Sequence, residues 1–150
     1  MSLLDPQARS ERGRQQQARI LATAATAASA AREPDTLFES SWRDYIFAEV
    51  WTRPGLDLRA RYLITLASAA SADTPAEILD GYVRGALANR ELSLTELREA
   101  ALHFAIYGGW SRGAMLDQAI SRVAEPMDDA RESYAPIRAA TWDPQVRLQE

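Results

Sequence analysis

Two helix-start signals near the middle of the chain constrain its fold most strongly. Thr74-Pro75-Ala76-Glu77 and Ser93-Leu94-Thr95-Glu96 each place a hydroxyl side chain three residues before a glutamate, which is the pattern of a capping box at a helix N-terminus. In the first signal, proline would occupy the first helical position. Gly108-Gly109 is expected to end the second helix. The sequence therefore predicts two consecutive helices, at about 75–89 and 94–109, that form a helical hairpin.

The remaining pattern is also helical. We expect further helices at about 18–31, 36–51, 58–72 and 112–124, the last one capped by Ser111 and ended by Glu125-Pro126. The segment 9–17 has little apolar face, so it is either frayed or packed on a partner subunit. In helix 36–51 the expected apolar side is Leu37, Trp42, Tyr45, Ile46, Val50 and Trp51, with Glu39, Arg43 and Asp44 turned outward. No segment alternates with a period of two, and the fold class is therefore all-α.

Composition limits the possible functions. The 150 residues are 47% apolar and 25% charged, which fits one globular domain at 35–126 with an N-terminal helical extension, 1–34, and a C-terminal arm, 127–150. Cysteine and lysine are absent, so thiol chemistry and a lysine Schiff base are excluded. One histidine excludes a multi-histidine metal site, and no acidic cluster suggests a metal.

The partners expected from charge and hydropathy are few. A net charge of −4 argues against nucleic acid. The apolar runs are too short to span a membrane, and the N-terminus has no signal-peptide pattern, so we expect a cytoplasmic protein.

The stretch from Phe47 to Arg61 combines a carboxylate, an indole and three guanidinium groups around Pro54-Gly55. Proline and glycine predict a corner between two helices, and Asp57 is placed to cap the second helix. Glu49 and Arg53 are four residues apart and could form an ion pair. Two interpretations remain open: an interhelical elbow with a structural ion pair, or an acid and an anion-binding arginine at the mouth of a pocket.

This stretch also resembles the carboxymuconolactone decarboxylase family. The similarity begins at Glu49-Val50-Trp51-Thr52-Arg53-Pro54-Gly55-Leu56-Asp57 and continues in order through Leu63–Ala67, Val83–Leu87, Glu96–Ala100 and Tyr107–Trp110. It covers roughly residues 38 to 124. The resemblance implies an AhpD-like helical bundle of about six helices with a central helical hairpin, assembled as a homo-oligomer, commonly a trimer or hexamer.

The family includes thiol-dependent peroxidases and cofactor-independent decarboxylases, and this sequence departs from both patterns. Pro75 and Ile78 stand where the peroxidase cysteines are expected, which excludes that activity. Tyr82 stands where both groups are expected to carry a histidine. A tyrosine can donate a hydrogen bond or act as an acid, but its ordinary pKa near 10 makes it a poor base.

Decarboxylation requires an oriented carboxylate, a stabilised carbanion and a proton for the carbon atom. The candidate catalytic residues are Glu49, Tyr82 and His103. The candidate substrate-binding residues are Arg53, Trp51, Arg61, Arg84 and Trp110, with Arg59 as a further anion binder. Several of these residues also have a structural interpretation. Tyr82 and the two tryptophans could be packing or interface residues, and His103 could pair with Glu99. Arg9, Arg12 and Arg14 are expected on a solvated face.

The resemblance leads to one main hypothesis and one alternative. The main hypothesis is a lyase without cofactor that acts on a small cyclic carboxylic acid or lactone in aromatic or related ring catabolism. The alternative is a family member that binds a small acid, or serves in assembly, without catalysis.

Overall fold

The computed structural model describes residues 5–23, 36–72 and 74–129. In these residues six α-helices and one π-helical turn follow one another, and no strand occurs. The elements are α1 (Pro6–Ile20), α2 (Leu37–Tyr45), the π turn (Ile46–Val50), α3 (Leu58–Ser71), α4 (Ala76–Ala88), α5 (Leu94–Gly108) and α6 (Trp110–Asp129). The all-α helical bundle expected from the sequence is confirmed.

The core lies between α3, α4, α5 and α6 and extends under α1 and the π turn. Its largest fully buried side chains are Tyr62, Phe47, Ile20, Leu66, Leu87, Leu97, Leu116, Ile120 and Val83. The buried positions of α4 and α5 recur at helical spacing, and burial of these apolar side chains is the main favourable term in folding.

Both helices of the predicted hairpin form, but they do not pack along each other: among the described residues α4 packs on α3 and α6, and α5 packs mainly on α6. Their two starts also differ. Ser93 and Glu96 make both hydrogen bonds of a capping box, at 3.2 and 2.9 Å. The capping box expected at Thr74 is wrong, because Pro75 is the N-cap of α4 and no side chain caps this helix. Gly109, with φ of 101°, ends α5 in a backbone conformation that glycine adopts without strain.

Helix α1 differs from the prediction more than any other element. It begins at Pro6, after the Asp5 cap, and ends at Ile20, so residues 9–17 are helical and pack within their own chain on α2 and the π turn. Gly13 permits this approach, since a Cβ there would lie 2.9 Å from Asp44 Oδ1. Ala22 follows with φ of 47°, which stops the helix. The predicted continuation to residue 31 lies outside the described residues beyond residue 23.

The orientation predicted for α2 is partly wrong. Leu37, expected on the apolar side, is 83% exposed, and Tyr45 is 60% exposed. Arg43, expected in solvent, is buried, and its guanidinium donates to Asp44 Oδ1 at 2.9 Å and to Ser10 Oγ at 3.2 Å. Arg43 is buried because α1 packs on α2, which the local pattern of α2 does not show.

Helix α6 is longer than predicted. It starts at Trp110 rather than after a Ser111 cap, and it continues through Pro126 to Asp129. Proline removes one backbone donor, but buried Val123 and Ala124 hold this end of the helix on the bundle. The rest of the predicted C-terminal arm, from residue 130 onward, lies outside the described residues.

Candidate functional site

The chain changes direction at the elbow through an irregular helix end. Trp51 N–H donates to the Ile46 carbonyl at 2.9 Å, five residues back, which is the hydrogen bond of a π turn. Thr52 Oγ1 donates to the Ala48 carbonyl at 2.7 Å. The chain then reverses at Gly55, with φ of 117°, and Asp57 caps α3 through Ala60 N–H at 2.8 Å, as expected. Single π turns inside α-helices are frequent at functional sites.

A cluster of four aromatic rings lies inside the elbow. The Trp51 indole stacks on the Tyr82 ring with centroids 5.8 Å apart and an interplanar angle of 9°. Its other contacts are with Tyr62, edge-on at 5.2 Å, and with Phe47 at 6.3 Å. Trp51 is only 7% exposed. Its position among these rings shows that it belongs to the core and fixes Tyr82.

Tyr82 is the half-buried member of this cluster. Burial raises its pKa, so its phenol remains protonated at neutral pH. Its hydroxyl has no hydrogen-bond partner among the described residues, whereas Tyr62 Oη donates to the Ile20 carbonyl at 2.8 Å and accepts from Asn89 Nδ2 at 3.1 Å. Tyr82 can therefore donate a hydrogen bond to a bound molecule, and Tyr62 serves to hold the end of α1.

Glu49 lies in the π turn, with its side chain 20% exposed. The expected ion pair with Arg53 does not form in the described part of the chain. Instead, Glu49 Oε1 lies 3.9 Å from Arg9 Nε, because α1 packs over this turn. The Arg53 side chain is exposed.

The other arginines of the sequence prediction are in different situations. Arg59 donates to the Glu91 carbonyl at 3.0 Å and pairs with Glu96 at 2.8 Å, which connects α3 to the loop before α5 and to the first turn of α5. Arg61 Nη2 donates to the Arg53 carbonyl at 2.6 Å and so fixes the elbow. Arg84 is half-buried on α4 and has no hydrogen bond or ion pair within the described residues.

His103 and Trp110 lie at the corner between α5 and α6, which we call the α5–α6 corner and define by His103, Tyr107 and Trp110. The His103 ring contacts the Tyr107 ring with centroids 5.0 Å apart. The pair expected with Glu99 is absent among the described residues. Trp110 is 70% exposed. No hydrogen bond, ion pair or ring contact in the described ranges joins this corner to Glu49, Trp51 or Tyr82.

Two arginines near the elbow were missed by the sequence analysis. Arg9 was placed on a solvated face, yet it lies beside Glu49 and lines a shallow groove of about 300 Å³ together with Pro6, Ser40, Ser41 and Asp44. Arg43 borders this region from α2. The spacing of Arg9, Gly13 and Ile20 on one helical face is the signal that could have identified the packed side of α1.

The described residues contain no group of three or more histidine, aspartate or glutamate side chains placed to hold a metal ion. None of the helices described is long and apolar enough to cross a membrane.

Comparison with known proteins identifies an enzyme that is similar to part of this chain. Nitrosuccinic acid decarboxylase npaB of Metarhizium robertsii is 41% identical to this chain over 66 residues, which are 44% of this chain and 45% of that protein. The chain thus matches less than half the length of this relative. No solved structure matches it significantly. The model of the carboxymuconolactone decarboxylase family matches residues 36–120, from the start of α2 into α6, and includes the elbow, α4 and α5. On this match the chain belongs to the carboxymuconolactone decarboxylase family.

Proposed function

We propose that this protein decarboxylates a small carboxylic acid without a cofactor. The observation that supports this best is the arrangement at the elbow, where Glu49 in the π turn lies beside a guanidinium group and two residues before the indole that fixes Tyr82. This arrangement is built largely from the segment that the family model matches. The similar enzyme is named for the decarboxylation of nitrosuccinic acid, a dicarboxylic acid with a nitro group.

The proposed substrate carries an electron-withdrawing group next to the carboxylate that is lost. This group is the carbonyl of a lactone or related ring, as the sequence suggested, or a nitro group, as in the acid for which the relative is named. The bond between carbon and carboxylate breaks, carbon dioxide leaves, and the electron pair is delocalised onto the carbonyl or nitro oxygen. The carbon atom then accepts one proton. No oxidant or reductant is required.

Tyr82 and Glu49 have different roles in this scheme. The phenol of Tyr82 stays protonated because burial raises its pKa, so it can donate a hydrogen bond to the oxygen that gains negative charge. Glu49, which is partly exposed, can take a proton from solvent and deliver it to carbon. Trp51 positions Tyr82 through ring stacking and is buried away from the substrate.

Turnover of nitrosuccinate and of carboxymuconolactone tests the proposal. Release of carbon dioxide above the uncatalysed rate is expected for one of these acids, and E49Q and Y82F are each expected to lose about 100-fold or more in kcat. E99Q and Y107F are matched controls, because both residues are exposed and lie on α5, far from the elbow in the sequence, and they should retain activity. Equal kcat in E49Q and E99Q would contradict the role of Glu49.

Tyr82 at the position of the family's histidine supports a second candidate function, the binding of a small acid without catalysis. Saturable binding of either acid by a folded protein that releases no carbon dioxide would favour this function. The sequence alternative of an assembly member predicts neither binding nor turnover.

We also propose that the protein is a cytoplasmic homo-oligomer, a trimer or hexamer. The support is a set of exposed apolar side chains, two of them four residues apart on α5 and the third at the start of α6. It consists of Leu102 (51% exposed), Ile106 (65%) and Trp110 (70%). Exposed apolar sets of this kind mark interaction sites. Light scattering should give a mass above that of one 16.6 kDa chain, and a W110A variant that keeps the same mass would argue against this surface.

A further inference from the structure

Arg9 has a position that none of the other arginines near the elbow shares. It comes from α1, which lies outside the segment that the family model matches, and it is 33% exposed at its side chain. Its Nε lies 3.9 Å from Glu49 Oε1, so the two charges attract each other. This distance exceeds that of a hydrogen bond, and within the described residues the Arg9 guanidinium donates no hydrogen bond. Arg9 therefore keeps its donors for another acceptor.

Three neighbouring arginines do not have this freedom, and Arg53, which is exposed, does not line the groove beside Arg9. Arg59 is held by the Glu91 carbonyl and by Glu96, and Arg61 by the Arg53 carbonyl. Arg43 is buried against Asp44 and Ser10. A guanidinium that already donates to protein oxygens must lose these bonds before it can bind a ligand. Arg9 has only a weak interaction with Glu49 to lose.

The groove beside Arg9 favours a small anion. Its volume of about 300 Å³ is at the lower end of the range of small-molecule sites, about 300–1,000 Å³. Asp44 would repel an anion, but its Oδ1 lies 2.9 Å from Arg43 Nε, which offsets this charge. The Ser40 and Ser41 hydroxyls donate to carbonyls of their own helix at 3.1 and 2.6 Å. Arg9 is therefore the cationic donor that remains on the groove wall.

We propose that Arg9 binds a carboxylate of the substrate in this groove. This carboxylate replaces Glu49 as the partner of the Arg9 guanidinium. This inference rests on the proposed decarboxylation. It identifies Arg9 as the residue that binds the acid, and it specifies the substrate class as a small acid that retains one carboxylate in the product. The planar guanidinium can donate two parallel hydrogen bonds to a carboxylate. When the substrate occupies Arg9, Glu49 loses its partner and is free to transfer a proton at the adjacent carbon.

Binding of succinate, an unreactive dicarboxylate, tests this proposal without turnover. Calorimetry should show that the full-length protein binds succinate and that R9Q weakens binding about 10-fold to 100-fold, the loss expected for hydrogen bonds to a charged group. R12Q is the matched control on the same helix, because Arg12 is exposed, and it should bind as the original chain does. R9K keeps the charge without the planar fork and should lie between the two.

The competition between Glu49 and the ligand gives a result that a merely structural role of Arg9 would not produce. E49Q removes the carboxylate that competes for Arg9, so it should bind succinate several-fold more tightly, and this gain should vanish in R9Q/E49Q. Unfolding curves of each variant establish that it is folded. Equal affinity in R9Q and R12Q, no gain in E49Q, or no binding of succinate to the original chain would each overturn the proposal.

Kinetics separate the failure of this inference from the failure of the proposed function. If the protein is a decarboxylase, R9Q should raise KM about 10-fold or more, with kcat reduced much less than in E49Q. If R9Q turns over substrate with an unchanged KM, the role of Arg9 is rejected, and the proposed decarboxylase function stands. Arg9-dependent binding of succinate without turnover of either acid would support the role of Arg9 and reject the decarboxylase.

Discussion

The elbow and the α5–α6 corner are built from the same kinds of residue and have opposite surroundings. Each has a glycine with positive φ, Gly55 at 117° and Gly109 at 101°, and each has a tryptophan within four residues of that glycine. Trp51 is 7% exposed among three aromatic rings, whereas Trp110 is 70% exposed. The comparison shows that a turn signal fixes where the chain reverses, while the packing of other helices decides which aromatic side chain is buried.

The largest difference is expected from replacing each tryptophan by alanine. W51A leaves a cavity among Phe47, Tyr62 and Tyr82, and should lower the free energy of unfolding by about 3–5 kcal/mol. W110A removes an exposed ring, and should change the stability of the isolated chain by less than about 0.5 kcal/mol. Urea unfolding at a protein concentration that gives monomers measures both. Equal losses would show that the α5–α6 corner is as closely packed as the elbow.

The two glycines should respond alike, which would sharpen the comparison. A Cβ at Gly55 or Gly109 meets no atom within 4 Å, so the cost of alanine comes from the positive φ alone. G55A and G109A should each lose about 1–3 kcal/mol of stability, with no dependence on the burial of their surroundings. Thermal unfolding of both variants provides the measurement. A much greater loss in only one variant would mean that its turn is also held by tertiary contacts.

Removing one hydroxyl from each region should again give different effects. Y62F removes the donor of the buried hydrogen bond to the Ile20 carbonyl and the acceptor of the part-buried one from Asn89, and should cost about 1–3 kcal/mol. Y107F is the control, because Tyr107 is 80% exposed, and should be neutral. Urea unfolding measures the cost, and hydrogen exchange of α1 is expected to increase in Y62F only. Unchanged protection of α1 in Y62F would argue that this hydroxyl does not anchor the helix.

The elbow should also make the protein less stable at alkaline pH. Burial raises the pKa values of Tyr62 and Tyr82 in the folded state, so above about pH 10 the unfolded chain loses these protons first. Stability then falls with rising pH, by at most about 1.4 kcal/mol per pH unit for each tyrosine. Y82F should show a smaller slope between pH 10 and 12. A slope identical to that of the original chain would indicate that Tyr82 titrates alike in both states.

Much of the fold could be predicted from local signals. Asp57 and Ser93 cap their helices as expected, because capping uses hydrogen bonds within four residues. Leu79, Val83 and Ala86 recur at helical spacing on α4, and all three are buried. The position of α1 could not be predicted in this way. Its first part has few apolar residues, and its docking depends on a close approach at Gly13 and on polar contacts with residues far along the chain.

The candidate site was predicted less completely than the fold. Glu49 and Tyr82 were named from a motif and lie at the same elbow, connected through Trp51. Arg53, named with them, stays in solvent, and the guanidinium beside Glu49 comes from Arg9, forty residues away in sequence. Residues four apart meet reliably only in a regular α-helix. Glu49 lies in a π turn, so its spacing from Arg53 does not bring the two side chains together.

The sequence by itself determined most of the helices, the positions of most turns and the family, since these depend on residues close together or on an ordered set of motifs. The tertiary structure decided which surfaces are covered. It placed Gly85 under the end of α1, where a Cβ would lie 1.6 Å from the Ile20 carbonyl oxygen. It also buried Arg43, exposed Trp110 and brought Arg9 to Glu49. The physical reason is that burial and ion pairing depend on distances in space, which a helical pattern fixes only within one helix.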